Sequence, residues 1–422
     1  MTNNYRWYLV ALLFLTGATN YGDRTAISSV FPLLSSEFNA TDVELGAIGA
    51  AFLWAYAAAS PFAGMFADRF SRSRIVVGSL AAWSVVTLLT AFTTSINQIL
   101  ATRVMLGLTE AAYLPAAIAL IADYHSSKTR ATAIGFHTAG LTFGMIAGAA
   151  GAGHLGEHYG WRTAFLVLGA AGLLLAVVAH FYLRDSRPDV SSPKPAAAPD
   201  PLLRSLARLI TIPSYLLLLM QAMIVSVGTW IFLNWLPLFF KETYDLSLTA
   251  AGFAGAFMLQ GAATLGVISG GYFSDRLSGS RPQRRMLIQA VCYVIAAPFL
   301  VAFVASPGLI FLNVCIFFFS FVLRVGLSNE TPLVCDLLEP QLRSTAIGLM
   351  NTANCFAGGI GVLVAGLLRS TYGLAAAFGG VSVITLVAAA LAALCYFRFL
   401  DRDLARRKVF ADPDAIAAPV RA

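Results

Sequence analysis

Two short clusters place charges where apolar sequence surrounds them. The first is Asn20-Tyr21-Gly22-Asp23-Arg24-Thr25, with apolar runs from Trp7 to Thr19 before it and from Ala26 to Leu34 after it. The second is Arg103-Val-Met-Leu-Gly107-Leu-Thr-Glu110, inside another apolar stretch. A charge at the centre of a bilayer costs about 3 kcal/mol on insertion scales, so one retained there faces a bundle interior or a water-filled path. The chemistry open to such a set is pairing with an anionic ligand and proton exchange at a carboxylate. Arg103, Gly107 and Glu110 share one helix face at i, i+4 and i+7. That spacing sets the two charges roughly 10 Å apart along the axis, with Gly107 leaving room between them. Asn20, Asp23 and Arg24 share a face of their own. Counting inward from the helix ends pairs Asp23 with Arg103. Arg24 is then free to meet an anion, and Glu110 has no cation. On that pairing Glu110 is the proton carrier, with Asp23 and Arg103 joining it in proton coupling and Asp23 serving as a gate partner. The opposing expectation is a static network that locks two spans together.

Other residues offer weaker chemistry. Tyr21 and Tyr56 are candidate hydrogen-bond donors to a ligand, although tyrosines packed against core or lipid look the same in sequence. Asn20, Asn234, Trp235, Asn351 and Asn354, with Trp230, suit recognition of a polyol or a carboxylate, and isolated asparagines in spans also serve as interhelical glue. His137 is expected to be a hydrogen-bonded core histidine rather than a titrating one. Arg324 and Glu330 form a further charged pair of positions, open between an ion pair and a second substrate anchor. The five cysteines sit in apolar surroundings without metal-ligand spacing and read as small buried hydrophobes. No metal and no cofactor is expected.

The elements that hold these residues are membrane spans. The chain is 58% hydrophobic and 12% charged, against about 25% charged in soluble domains. Twelve apolar segments of spanning length are expected, at 7–36, 43–67, 74–94, 97–123, 130–153, 161–183, 211–238, 249–273, 285–305, 307–335, 343–368 and 374–399. The first carries no basic leader and no small-residue cleavage site, so it is expected to remain as a span. The stretch 184–210 is rich in Pro, Ser and charge and reads as a linker. Its end, Leu202 to Ile210, has the pattern of a short amphipathic surface helix with Arg204 and Arg208. The expected organisation is a first six-helix bundle at 1–183, a cytoplasmic linker at 184–210, a second six-helix bundle at 211–400 and a cytoplasmic tail at 401–422. With both termini cytoplasmic, 22 of the 28 basic residues fall on the cytoplasmic side and three on the other, Arg162, Lys241 and Arg369. The basic pI therefore reflects the positive-inside rule and not a nucleic-acid surface.

The halves repeat. Gly64-Met-Phe-Ala-Asp68-Arg69-Phe-Ser-Arg72 has a counterpart in Gly271-Tyr-Phe-Ser-Asp275-Arg276, and Arg130-Ala-Thr-Ala-Ile-Gly135 one in Arg343-Ser-Thr-Ala-Ile-Gly348. Asp123 and Asp336 share the second offset, 213 residues. An even number of spans lies within it, so the repeats are parallel, as in two halves rocking about a central site. Gly140, Gly144, Gly148 and Gly151 form a close-packing face on the fifth span.

On these motifs the sequence resembles the major facilitator superfamily over essentially its whole length. The Gly-x-x-x-Asp-Arg loop, present in both halves, is that superfamily's loop signature. The resemblance implies a gating role for Gly64, Asp68, Arg69, Arg72, Asp275 and Arg276. It also implies that the glycines of the fifth span pack against the eighth, at Gly252, Gly255, Gly261 and Gly266, as a hinge. A finer resemblance is to the anion:cation symporter branch. It rests on Asn20 to Arg24, on Arg103 to Glu110, and on Phe232-Leu-Asn-Trp235-Leu-Pro237. It implies that Arg24 binds a substrate carboxylate and that the acids couple to protons. That branch usually has Gly after the fourth-span Glu, where this chain has Ala111. Spinster-like lipid carriers share the Asp-Arg of the first span and a Gly-Glu-Ala run, where this chain has Leu-Thr-Glu-Ala.

The expected protein is an all-α secondary transporter of a small organic anion driven by protons. It is placed as a monomer in an inner (plasma) membrane, with the lipid bilayer and no nucleic acid as its surroundings. The alternative is a Spinster-like carrier of lysolipid or another amphipathic anion. No P-loop and no catalytic triad can be assembled, which sets ATP-driven transport and enzymes aside. A channel is disfavoured by the paired loops and the lack of a filter-like segment, and a receptor by the lack of a signalling domain.

Overall fold

A computed structural model describes residues 5–126, 128–185, 202–279, 281–305 and 308–411, without the side chains of 64–69, 203 and 406–411. Most of the expected linker and half of the expected tail lie outside these residues. The described chain is helical. Its first part comprises α1 (Tyr5–Ser29), α2 (Phe31–Phe38), α3 (Asp42–Arg69), α4 (Arg72–Thr90), α5 (Ile96–Glu110), α6 (Tyr113–Tyr124), α7 (Arg130–Tyr159) and α8 (Trp161–Tyr182). A short helix α9 (Leu202–Leu209) follows, where the amphipathic pattern predicts one. Then come α10 (Pro213–Tyr244), α11 (Leu248–Ser278), α12 (Gln283–Ala296), a 3-10 turn (Ala297–Val301) and α13 (Ala302–Ala305). The last are α14 (Leu309–Leu327), α15 (Glu330–Leu337), α16 (Pro340–Arg398) and α17 (Leu400–Ala411).

Among the described residues, ten helical stretches are long and apolar enough to cross a membrane. Three of them are made of more than one helix: Ile96–Tyr124 breaks at the end of α5, Leu309–Leu337 at the end of α14, and Gln283–Ala305 passes through the 3-10 turn. The longest, α16, is not one straight rod. Gly373 interrupts it at φ +78°, a left-handed conformation that glycine adopts without steric penalty. The interruption falls between the expected spans 343–368 and 374–399.

Contacts divide the chain into two compact units that do not follow the order of the chain. Unit 1 holds residues 1–192, 229–261 and 355–377, and unit 2 holds 193–228, 262–354 and 378–422.

In unit 1 the glycine face of α7 is pressed against α1. A Cβ on Gly144 would sit 2.1 Å from the Ala18 carbonyl oxygen, one on Gly148 2.4 Å from Gly22 Cα, and one on Gly140 2.5 Å from the Phe14 carbonyl oxygen. This corrects the expectation that these three glycines face the eighth span. The contact between α7 and α11 is made one to two turns further on. There Gly153 abuts the Leu248 carbonyl, Gly252 abuts the Ala149 carbonyl, and Thr249 donates to Glu157. Gly255 is in ordinary contact with Pro237, and Gly151 and Gly261 meet nothing within 4 Å. The reason is geometric: small residues every fourth position make one flat face, and the partner that needs the closest approach takes it.

The same principle sets α3 against α5. A Cβ on Gly107 would lie 2.5 Å from the Phe52 carbonyl oxygen and 2.9 Å from the Tyr56 backbone nitrogen. Gly107 thus admits the α3 backbone, rather than making room between Arg103 and Glu110. Unit 2 is built on a core that includes Tyr215, Leu218, Met286, Leu333, Leu337, Met350 and Cys395. There Gly266 of α11 lies against the Phe321 carbonyl of α14.

Candidate functional site

α1 and α5 bring the charged clusters together, but with a different pairing from the one the helix counting predicts. Arg24 Nε donates to Glu110 Oε2 at 2.7 Å, with the two side chains 6% and 0% exposed. Arg24 is therefore not free, and Glu110 has a cation. The physical reason is the close approach at Gly107, which draws α3 and its aromatic side chains over this level of α5. The Arg24 guanidinium is enclosed by the rings of Tyr21, Tyr56 and Phe52, at 4.4, 4.7 and 5.0 Å from their centroids. Such a cage favours a cation through the ring quadrupoles. Arg24 Nη2 also donates to Asn20 Oδ1 at 3.1 Å.

Asp23 and Arg103 are both buried, and no ion pair within 4.0 Å joins them. Asp23 Oδ2 accepts from the Thr87 hydroxyl at 3.1 Å, and Oδ1 has no protein partner. Nε and Nη2 of Arg103 likewise lack partners, while its guanidinium lies 5.8 Å from the Phe165 ring. Arg103 still acts on Asp23 and Glu110 through its charge. The site therefore has one closed pair and a looser set of charges beside it. Glu110 Oε1 and Asn20 Nδ2 are further atoms without a protein partner. Glu110 is also the last residue of α5, and the helix breaks after it.

Thr87 and Phe52 belong to this site and were not singled out in the sequence. Both lie on spans of ordinary composition, and nothing in their spacing marks them. His137 behaves as expected. Its Nδ1 and the Tyr113 hydroxyl both lie within hydrogen-bond distance of the Leu13 carbonyl, at 3.1 and 3.0 Å, which ties α6 and α7 to α1.

The remaining candidates are placed elsewhere. Trp235 is fully buried, donates to the Val362 carbonyl at 3.0 Å and packs 5.7 Å from Phe31. Asn234 donates to the Trp230 carbonyl one turn back in α10, and its Oδ1 stands 2.5 Å from where a Gly49 Cβ would be. Both side chains make packing contacts within unit 1. In unit 2, Asn351 is exposed, while the Asn354 carbonyl accepts from Ser226 and its Oδ1 has no protein partner. Arg324 and Glu330, also in unit 2, feel each other's charge without forming an ion pair within 4.0 Å. That removes the expectation of a second-half ion pair.

The repeated loops carry a repeated pair. Arg72 binds Asp123 in unit 1, and in unit 2 Arg285 lies 2.7 Å from Asp275 and 3.6 Å from Asp336. Arg72 and Arg285 are separated by the same 213 residues as Asp123 and Asp336. The side chains of Gly64, Asp68 and Arg69 lie outside the described residues, and Arg276 donates to the Tyr272 hydroxyl. Near Arg72, Asp185 accepts from the Ser71 hydroxyl and from the Ser73 backbone N–H at 2.8 Å, closing the N-terminus of α4. Partial burial works against that carboxylate, but the bonds from Ser71 and Ser73 and the charge of Arg74 outweigh it. They hold its pKa below the usual carboxylate range.

At another end of unit 1, Arg369 binds both Asp42 and Glu242. Gly366 lies against the Asp42 carbonyl, and the Arg369 guanidinium sits 5.9 Å from the Trp235 ring.

Comparison with known proteins agrees with this architecture. A structure of a bacterial homologue of the human lysosomal transporter Spinster, inward-facing and unoccupied, superposes with a TM-score of 0.85 at 22% identity, covering 96% of this chain and 99% of that one. An MFS-type efflux pump of Mycolicibacterium smegmatis is 28% identical, over 93% of this chain and 92% of its own length. A probable galactarate/D-glucarate transporter of Bacillus subtilis is 29% identical, over 64% of this chain and 65% of its own. The family profile described as Major Facilitator Superfamily matches residues 13–361. With the helical fold, the repeated loops and a match over most of its length, the chain belongs to the Major Facilitator Superfamily of membrane transporters.

Proposed function

We propose that the protein is a secondary active transporter that moves a small organic anion, a carboxylate or sugar acid, together with protons by alternating access. The observation that carries this reading is the buried Arg24–Glu110 pair inside its aromatic cage. Arg24 is the group suited to a substrate carboxylate, and Glu110 occupies it in the empty site. A proton arriving at Glu110 neutralises the competitor and leaves the guanidinium for the anion. Substrate and proton then bind together because each removes the other's obstacle. The reading also draws on the relatives named for sugar acids.

Asn20, Tyr21 and Tyr56 position the guanidinium and offer hydrogen bonds to the bound anion. Asp23 and Arg103 complete the coupling set, and Asn351 and Asn354 are the second-half candidates for substrate contact. Counting α1 as a span and dividing α16 at Gly373 brings ten stretches to twelve, in two six-helix repeats. The positive-inside count puts both termini in the cytoplasm of an inner membrane. The protein acts as a monomer.

The test is Glu110→Gln in liposomes with radiolabelled D-glucarate. Without a counter-ion, buried Arg24 blocks the return of the empty carrier, whereas bound anion neutralises it. The variant is expected to exchange substrate across the membrane and to lose accumulation driven by a pH gradient. Accumulation at the parent's level removes Glu110 from coupling and moves the role to Asp23.

A second reading is a carrier of lysolipid or another amphipathic anion. It draws on an apolar groove lined by Trp7, Val10, Ala11, Phe14 and Leu15 of α1 and Phe136 of α7. Protection of the purified protein against heat by lysolipid but not by sugar acids would select it.

A further inference from the structure

Two of the broken spans have a carboxylate at the break and stand in related positions, and only one of them is used by the site above. α5 ends at Glu110 and α6 begins at Tyr113, while α14 ends at Leu327 and α15 begins at Glu330. The breaks are 217 residues apart, within about one helical turn of the 213-residue repeat. Each interrupts a 29-residue apolar stretch, and each has a carboxylate at the break. Interrupted spans in corresponding positions of two halves mark the places where a transporter handles substrate and coupling ions.

Glu330 sits seven residues from the end of α15, roughly 10 Å along the axis, so it lies well inside the hydrocarbon depth. It is half-buried, and its carboxylate makes no hydrogen bond or ion pair among the described residues. The charged and titratable groups that face it are Arg324 on α14, Tyr293 on α12 and Tyr215 on α10. Beside Tyr293, Gln289 is fully buried. Its Nε2 donates to the Tyr293 hydroxyl at 2.9 Å, and its Oε1 has no protein partner. An acid at this depth is costly when charged, and its half-buried carboxylate is open to proton exchange. Tyr215 and Tyr293 already hold other hydrogen bonds, to the Ala346 carbonyl and from Gln289.

We infer that Glu330 is a second proton-exchanging carboxylate, so that the carrier moves two protons with each substrate anion. The inference rests on the proton-coupled reading of the Arg24–Glu110 site. Glu110 gates the anion by occupying Arg24, whereas Glu330 has no such competitor role and adds a proton to the stoichiometry alone.

The experiment measures the substrate gradient at which net D-glucarate flux is zero, in liposomes with the membrane potential clamped at zero and a fixed pH difference. Each coupled proton then contributes about a tenfold substrate ratio per pH unit, because the balance is one of free energies and not of rates. The parent is expected to balance at the two-proton ratio. Glu330→Gln is expected to balance about tenfold lower per pH unit while still accumulating substrate. A merely structural role would slow both directions and leave the balance point unmoved. A parent that balances at the one-proton ratio overturns the inference whether or not the variant folds. So does a variant that balances where the parent does, and both results leave the Glu110 reading standing. A parent without proton-driven D-glucarate flux overturns that reading, and this inference with it.

Discussion

Arg24 is the residue on which binding and stability conflict. Its guanidinium donates to Glu110 and Asn20 and is enclosed by three rings. Arg24→Ala leaves Glu110 buried without its cation, a change that costs about 3–5 kcal/mol in comparable buried pairs. The melting temperature should fall, and carboxylate binding should be lost. The double variant Arg24→Ala with Glu110→Gln should recover most of the stability and none of the binding. Melting curves with and without D-glucarate separate the two effects. Arg24→Lys keeps the charge but not the planar fork, so it should not restore binding. Equal affinity in the lysine variant would show that charge alone suffices. Thr87→Val tests the neighbouring acid. It removes the one hydrogen bond to Asp23 and leaves a buried carboxylate without partners, at a cost of about 1–3 kcal/mol.

At the scale of elements, the site depends on two close helix approaches. The α1–α7 contact admits no side chain at Gly144, where a Cβ would stand 2.1 Å from a backbone oxygen. Gly144→Val must push α1 away, and overpacking of this kind costs about 1–3 kcal/mol. Because α1 carries Asp23 and Arg24, the displacement should also weaken substrate binding. Gly151→Ala on the same helix meets open space and should change neither. If both variants bind and melt alike, the α1–α7 approach does not position the site. The N-terminus of α4 gives a pH-dependent counterpart. Asp185 titrates below the ordinary carboxylate range in the folded chain. Its stabilising bonds are thus present above the unfolded pKa and are lost as pH falls through the folded one. Asp185→Asn should flatten that acid-side loss of melting temperature.

At the scale of the whole molecule, transport requires groups that hold one conformation and then let go. Arg369 with Asp42 and Glu242 ties together segments distant in the chain, at the end that the proposed orientation puts outside. These side chains are partly exposed, so each ion pair is worth about 0–1 kcal/mol. That is enough to shift a balanced conformational equilibrium several-fold but not to unfold the protein. Arg369→Ala should increase labelling of cysteines placed on the external side and leave the melting temperature nearly unchanged. The Arg285 set with Asp275 and Asp336 motivates a test of Asp68, the repeat partner of Asp275. Asp68→Asn should cut transport strongly and leave binding largely intact. Wild-type uptake would remove the gating role.

Composition and the length of the apolar runs determined that this is a helical membrane protein, because uninterrupted apolar stretches of about 20 residues suit spanning helices and not the short alternating strands of a barrel. The repeated Asp-Arg loops and the charges within apolar spans also marked the family and the site region, since both signals lie along the chain. What the chain could not show was which charge meets which. Helix counting fixes depth and face but not the rotation and separation of neighbouring helices. Arg24 finds Glu110 rather than staying free because Gly107 lets α3 close onto α5. The glycines of α7 likewise choose α1 over α11, a decision between two partners that one helix's pattern does not contain. Trp235 and Asn234 read as ligand residues in the sequence and make packing contacts in the fold, because a polar or aromatic side chain in a span reads the same whether it faces a cavity or a neighbouring carbonyl. Only the tertiary approach of the helices separates those cases, since the partners of Arg24 and Trp235 lie 86 and 127 residues away in the chain.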